Sequence, residues 1–501
     1  MKKRRSIIVC IVGSLLIILG FTAFFAANWY ISKYGDIGFA SVLYTLLAGL
    51  GGTEEGLITD YLKSGLCPAL VLSLVVCVFL FINFKRGIEV KRKNKDNLRL
   101  YPFPNAFSMI VSVVLSLVLL GFAGQKVGFF EWVVSMTDST SLYDDEYVDP
   151  DKTDISFPEK KKNLIYIFLE SMETSFLSLG LGGGEPYNLI PELYTLAEEN
   201  VNFSHNDGIG GWGLVSNTTW TASSMIAQTA GIPCTTPING NKLGEYDSMF
   251  PGVTTIMDIL HDNGYEQALM VGSVGSFAGR DKYYLQHGTD NVYDLTNARK
   301  DAVVPKDYFV WWGMEDMYLF RYAKQKILQM SDSGKPFAFS MLTVDTHHIG
   351  GYKCELCTDT YSEQYENVIS CSSRQVYQFI EWLRQQDFYD DTTIVICGDH
   401  RSMDKGYADR TFSSSYDRHI YNCIINSSVE TDNTKNRVFT PMDMFPTTLA
   451  AMGCNIEGDR LGLGTNLFSD LQTVAERYGA DELNSEIEKN SLYYITNFIN
   501  G

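Results

Sequence analysis

Read for the spacing of apolar and polar positions, the chain divides near residue 126 into two unlike regions. The first holds three long apolar runs, at about 6–31, 66–84 and 106–123. A bilayer-spanning helix needs roughly 20 such residues, so each is long enough to cross. The first run follows Lys2, Lys3, Arg4 and Arg5 and continues through Phe24, Phe25 and Trp29. A cleaved signal peptide has an apolar stretch of only about 7–15 residues, which favours an uncleaved span. Residues 37–51 are shorter, and read as an interfacial or re-entrant segment or as a short helix packed on the bundle. Beyond 126 the pattern changes. Short apolar runs (163–170, 267–271, 336–344, 392–397, 420–425) alternate with helical spacing at 190–199, 254–263, 312–330 and 375–386. Strands alternating with helices predict an α/β domain built on a largely parallel sheet. The expected layout is a membrane domain at 1–126, a polar linker at 127–162, an α/β domain at 163–470 and a helical tail at 471–501.

Charge orients this layout. Lys85, Arg86, Lys91, Arg92, Lys93, Lys95 and Arg99 form a basic loop between the second and third runs. By the positive-inside rule this loop and the N-terminus are cytoplasmic, so three spans place everything after Gly124 outside. The formal net charge is −19 and is carried mainly by the later region. That excludes a nucleic-acid partner held through its phosphates, which requires clustered Lys and Arg.

Ligands of such sheets gather beyond the carboxyl ends of the strands. There the chain places Glu170 after the first strand, Asp345, Thr346, His347 and His348 after the third, and Asp399 and His400 after the fourth. These are the residue types that hold a hard or borderline divalent ion. Each has a bland alternative as a solvated strand end, a helix cap or a loop histidine, and only their convergence argues for a metal site. The stretch 208–225 carries glycines and then a hydroxyl cluster leading into a helical pattern. A threonine at a helix N-terminus suits a phosphate, but by itself this segment reads more readily as a helix cap. Cys354, Cys357 and Cys371 lie close together in sequence. An extracytoplasmic domain permits a disulfide, with Cys371 bridging Cys354 or Cys357. Zinc is the alternative, but the sequence offers no second ligand pair at suitable spacing.

Several stretches together resemble one family. They are Asn163-Leu-Ile-Tyr-Ile-Phe-Leu-Glu-Ser-Met172, Trp220-Thr-Ala-Ser-Ser-Met-Ile-Ala-Gln-Thr-Ala-Gly-Ile-Pro233, Leu342-Thr-Val-Asp-Thr-His-His348 and Gly398-Asp-His400. Weaker likeness covers Phe277-Ala-Gly-Arg-Asp281, the Cys354–Cys371 region and Leu461-Gly-Leu-Gly464. In this order they resemble the phosphoglycerol transferases of the alkaline phosphatase and sulfatase superfamily. The resemblance implies an alkaline phosphatase/sulfatase-like fold and one divalent ion, with Mn²⁺ expected ahead of Mg²⁺ and Zn²⁺. It implies Glu170, Thr221, Asp399 and His400 as metal-binding positions, with Thr221 as nucleophile and Thr218 and Thr219 as neighbouring alternatives. Arg280 and His347 match positions that hold the phosphoglycerol group, with His348 and Asp345 beside them, and His347 or His348 is placed to protonate the leaving oxygen.

The activity so implied is transfer of glycerol phosphate from phosphatidylglycerol to a hydroxyl of an extracytoplasmic glycan or glycolipid, at the bacterial cytoplasmic membrane. Other readings are a lipoteichoic acid synthase, a phosphoethanolamine transferase, or an inactive lipid- or glycan-binding sensor on the same fold. A sulfatase activity is disfavoured, because no Cys- or Ser-x-Pro-x-Arg segment is present.

Overall fold

The computed structural model describes residues 2–34, 39, 42–43, 55–81, 89–90, 98–99, 103–235 and 248–500. These fall into two compact units.

In the N-terminal unit three helices are long and apolar enough to cross a membrane: Ile7–Lys33, Ile58–Phe81 and Asn105–Lys126. The second begins before the expected residue 66, because a π-helical segment at Tyr61–Leu66 joins Glu55–Asp60 to Cys67–Phe81. The polar groups in that extension are satisfied between helices: Trp29 Nε1 donates to Asp60 Oδ2 at 2.7 Å, and Lys33 pairs with the same oxygen at 3.0 Å. Small residues let the first and third long helices approach closely. Gly20 lies against the backbone of Ser116, and Gly13 lies near the Ser112 hydroxyl. In the basic loop, Glu89–Val90 pairs antiparallel with Leu98–Arg99. The segment 37–51 lies almost entirely outside the described residues.

The second unit is an α/β domain. Its central sheet has seven strands: β1 (Asn163–Leu169), β2 (Gly211–Trp212), β3 (Glu266–Val271), β4 (Asn291–Tyr293), β5 (Phe337–Leu342), β6 (Thr392–Gly398) and β7 (Ile420–Ile425), in the spatial order β2-β7-β6-β1-β5-β3-β4. The five strands from β6 to β4 are parallel, and β7 runs antiparallel to both β6 and β2. The mostly parallel sheet is therefore as expected. The two-residue β2 and three-residue β4 were not anticipated, since neither is long enough to show a period of two.

β1 and β6 are buried on both faces, which is why they read as continuous Ile, Val, Leu and Phe runs rather than alternating ones. Helices cover the sheet, among them α1 (Thr221–Ala230), α2 (Arg280–Gln286), α3 (Asp316–Ser331) and α4 (Gln364–Leu383). α4 starts well before the expected residue 375, its first turn capped reciprocally by Glu363 and Glu366. The segment expected as a tail packs against its own domain: Tyr494 is buried and donates to the Pro233 carbonyl at 2.7 Å, and Glu476 pairs with Arg437.

Gly398 closes β6 immediately before Asp399. A Cβ there would lie 2.1 Å from the Met172 carbonyl oxygen, which is backbone and cannot swing aside. Gly398→Ala should therefore destabilise the domain by about 1–3 kcal/mol, read as a lowered thermal midpoint. Gly180→Ala, where nothing lies within 4 Å, should leave the midpoint unchanged. Equal midpoints in the two variants would refute this account of Gly398.

Candidate functional site

Three neighbouring strands of the parallel sheet deliver the site. β1 ends at Leu169 and hands the chain to Glu170; β6 ends at Gly398 before Asp399 and His400; β5 leads through Thr343 into Asp345–His348. Because β6, β1 and β5 are adjacent and parallel, their carboxyl ends open on one side. Candidate donor atoms of Glu170, Asp399 and His400 lie within 4.8 Å of one another, and all three residues are buried. His400 Nε2 is 3.3 Å from Asp399 Oδ2 and 3.6 Å from Glu170 Oε1.

Thr221, the first residue of α1, brings its hydroxyl to this cluster. Its Oγ1 lies 3.4 Å from Glu170 Oε2 and 3.2 Å from His400 Nε2. The N-terminus of α1 adds the positive end of a helix dipole at the same point. Thr218, by contrast, commits its hydroxyl to the Val215 carbonyl at 3.0 Å.

The surrounding hydrogen bonds orient these side chains. Asp399 Oδ1 accepts from the amides of Ser171 and His400, each at 2.7 Å, while the buried Oδ2 receives no hydrogen bond. Ser171 adopts a left-handed φ of 55° and donates its hydroxyl to Glu170 Oε1 at 2.7 Å. Thr346 donates to the Glu170 carbonyl, and the Glu170 amide donates to Thr343 Oγ1. His400 Nδ1 faces the Arg401 carbonyl at 2.8 Å, so it carries the proton and Nε2 turns its lone pair toward the carboxylates.

Three oxygens and one imidazole nitrogen are thus gathered around a buried, unsatisfied carboxylate oxygen. That donor set fits one divalent ion. The electrostatics agree. Burial and the neighbouring Glu170 raise the pKa of Asp399. Burial alone would lower that of His400, but the Asp399 and Glu170 carboxylates outweigh it and the net shift is upward.

His347 and Arg280 occupy the flank. His347 packs its ring 4.4 Å from Trp312 and 4.3 Å from His348, and burial lowers its pKa to about 4. The charges of His400 and Arg280 push in the same direction, so both lie within electrostatic reach. Arg280 is buried at the start of α2, its Nη2 bonded to Ser273 Oγ at 2.6 Å and its Nε to the Phe277 carbonyl at 3.1 Å. Asp345 turns instead to Asp316, a partner with no signal in the sequence. The Asp316 amide donates to Asp345 Oδ1, and the amides of Val344 and Asp345 donate to the Asp316 carboxylate. Burial raises the pKa of both acids. Trp312 was also missed, because a tryptophan between strands carries no distinguishing pattern. The three cysteines among which a disulfide is expected stand together, Cys354 Sγ lying 3.7 Å from Cys357 Sγ and 3.8 Å from Cys371 Sγ.

The fold is of the alkaline phosphatase-like class of α/β proteins. The sulfatase family profile matches residues 162–454, more than half of the chain, and the chain belongs to that family. Phosphoglycerol transferase I of Salmonella choleraesuis (strain SC-B67) is 30% identical over 477 residues, covering 93% of this chain and 57% of that protein. Phosphoglycerol transferase I of Salmonella typhi is 31% identical over 403 residues, covering 78% and 48%. The chain thus spans about half the length of the curated relatives it matches. Among solved structures, the integral membrane lipooligosaccharide phosphoethanolamine transferase A from Neisseria meningitidis aligns with a TM-score of 0.51 at 15% identity, covering 89% of this chain and 84% of that one. That likeness is one of fold.

The raised acids set a pH dependence. Burial lifts Glu185 to about 7 and Asp443 to about 6, and Asp399 and Asp316 also shift upward. Between the unperturbed carboxylate range and pH 7 the folded state therefore holds protons that the unfolded state has released. Stability falls as pH rises through that window. The chelated protein should have a higher thermal midpoint at pH 6 than at pH 8, and saturating divalent ion should narrow the gap. A chelated protein more stable at pH 8 would mean these carboxyls ionise freely in the fold.

Proposed function

We propose that this chain is a membrane-anchored phosphoglycerol transferase that uses Thr221 to move glycerol phosphate from phosphatidylglycerol to a hydroxyl of an extracytoplasmic glycan or glycolipid. The observation that carries the reading is the Thr221 hydroxyl at the head of α1, in contact with both Glu170 and His400. The names of the phosphoglycerol transferase relatives support the transferred group. A threonine at this position cannot supply the Cys- or Ser-derived aldehyde that a sulfatase needs.

Glu170, Thr221, Asp399 and His400 would hold the divalent ion, which supplies Lewis-acid polarisation of the phosphodiester and a lowered pKa for the threonine hydroxyl. Thr221 Oγ1 attacks phosphorus in line with the diacylglycerol oxygen. The bond to that oxygen breaks as the Thr221 oxygen–phosphorus bond forms, leaving glycerophospho-threonine. Arg280, its plane held by Ser273 and Phe277, neutralises the developing charge on the phosphoryl oxygens. His347 is neutral at rest because it is buried, and the anionic phosphodiester raises its pKa toward that of a proton carrier. The threonine proton passes through His347, or His348 stacked on it, to the departing diacylglycerol oxygen. An acceptor hydroxyl then attacks phosphorus from the vacated side, returns a proton to threonine by the same histidine and breaks the threonine–phosphorus bond. The three apolar helices would keep this centre beside its lipid donor, and the basic N-terminus and basic loop orient the domain outward.

With labelled phosphatidylglycerol, the purified full chain should release diacylglycerol in Mn²⁺ and not in chelator. Thr221→Ala should lower the rate by roughly 10³-fold or more, with an unchanged thermal midpoint. Full metal-dependent activity in that variant would end the covalent mechanism. Release only from phosphatidylethanolamine would replace the donor, and release from neither lipid would leave a binding module. Arg280→Ala should cost about 10²–10³-fold in kcat/KM; an unchanged kcat/KM would remove Arg280 from the phosphoryl site.

A further inference from the structure

Away from the Glu170 cluster, the loop that leaves His347 and His348 carries Cys354 and Cys357, and α4 places Cys371 beside them. Cys354 and Cys371 are buried and Cys357 is partly so. The sulfurs stand 3.7 and 3.8 Å apart about Cys354, and the three are mutually within 4.8 Å. A disulfide would require about 2.05 Å. When four donors surround a metal tetrahedrally at zinc–sulfur distances of about 2.3 Å, the edge between sulfurs is about 3.8 Å. The separations here have that length.

The local backbone agrees. Cys354-Glu-Leu-Cys357 forms a tight turn in which the Cys357 amide donates to the Cys354 carbonyl at 3.1 Å, bringing the two cysteines to one side of the loop.

The second ligand pair that spacing alone did not reveal is supplied by α4. Cys371 and Gln375 lie one helical turn apart and so share a face. Gln375 is buried, and its amide nitrogen lies 3.5 Å from Cys371 Sγ and 3.9 Å from Cys354 Sγ. Its Oε1 is buried with no hydrogen-bond partner. The two ends of a glutamine amide have nearly the same shape, and a half-turn of the group directs the unsatisfied oxygen at the sulfurs.

We propose that Cys354, Cys357, Cys371 and Gln375 form a second metal site, specific for a thiophilic divalent cation of the zinc type. Three thiolates select such a cation over Mn²⁺ or Mg²⁺, so the two centres of one domain are separated by ligand softness. The ion would pin the loop following His347 to α4 and thereby brace the segment that carries both histidines.

The test uses the full chain in detergent, reduced, stripped with chelator and titrated anaerobically with Co²⁺. Sulfur-to-cobalt charge-transfer absorption should rise and saturate at one equivalent per chain, a signal that the oxygen-rich centre cannot give. It should vanish in Cys371→Ser and in the more exposed Cys357→Ser, and persist in Asp399→Ala. Gln375→Ala should keep the absorption but weaken Co²⁺ binding roughly tenfold or more; unchanged affinity would overturn the assignment of Gln375. Zinc retained at one per chain by protein isolated without chelator, and lost in Cys357→Ser, would further support the site. Absence of the charge-transfer absorption, its survival in both cysteine variants, or an intact mass two hydrogens lighter with Cys354 bridged to a neighbour would overturn the proposal.

Discussion

The organising constraint of the α/β domain is a pair of carboxyl groups buried together in its interior. Glu170 and Asp399 are both buried, and the imidazole nearest them is only a partial counterweight. Burying like charges together is costly unless they are protonated, hydrogen-bonded or given a cation. The domain uses amides for part of this, two of them on a single Asp399 oxygen, and leaves the other oxygen unsatisfied. A centre of this kind is poised for a cation, and a hydroxyl placed against it shares in whatever the cation does to its pKa.

Parallel strand order makes that placement economical. Glu170, the Asp399–His400 pair and the His347–His348 pair come from distant parts of the chain, yet each needs only to follow the end of β1, β6 or β5. Thr221 reaches the same spot by a different device, the start of a helix that follows a glycine-rich loop. Close backbone approach locks the arrangement. Gly398 touches the Met172 carbonyl, and Gly211 has no room for a Cβ against the Ile420 carbonyl. Around the site, Glu173 accepts the Ser402 amide and pairs with Arg418, which holds the loop after His400 to the loop after Glu170.

The positive side of the candidate site has a separate origin. Arg280 and Trp312 come from the connections flanking β3 and α3, and they meet His347 over the edge of the sheet. Burial favours the neutral form of His347. Carboxylates and an imidazole gather at the ends of β1 and β6, while a guanidinium and two further imidazoles come from neighbouring loops. The cysteine cluster sits on the loop behind those histidines, so bracing that loop and arranging the imidazoles are linked through the backbone.

Much of this was legible in the residues themselves. Apolar runs of about 20 residues can only be spans or buried helices, and short apolar runs ending in Glu or Asp-His are strand ends in a buried parallel sheet. Periodicity and residue type are local properties, so the sequence marked the long apolar helices and the longer central strands and the convergence of Glu170, Asp345–His348, Asp399 and His400 at strand ends, while the resemblance selected Glu170, Asp399 and His400 among them. Tertiary structure decided what depends on distance. It brought the Thr221 hydroxyl rather than that of Thr218 to the cluster, and it turned Asp345 toward Asp316. It also placed Gln375 beside the three cysteines, which the spacing of the sequence did not show. Spacing along the chain cannot reveal which side chains share a point in space, because crossover connections of very different length end at the same edge of one sheet.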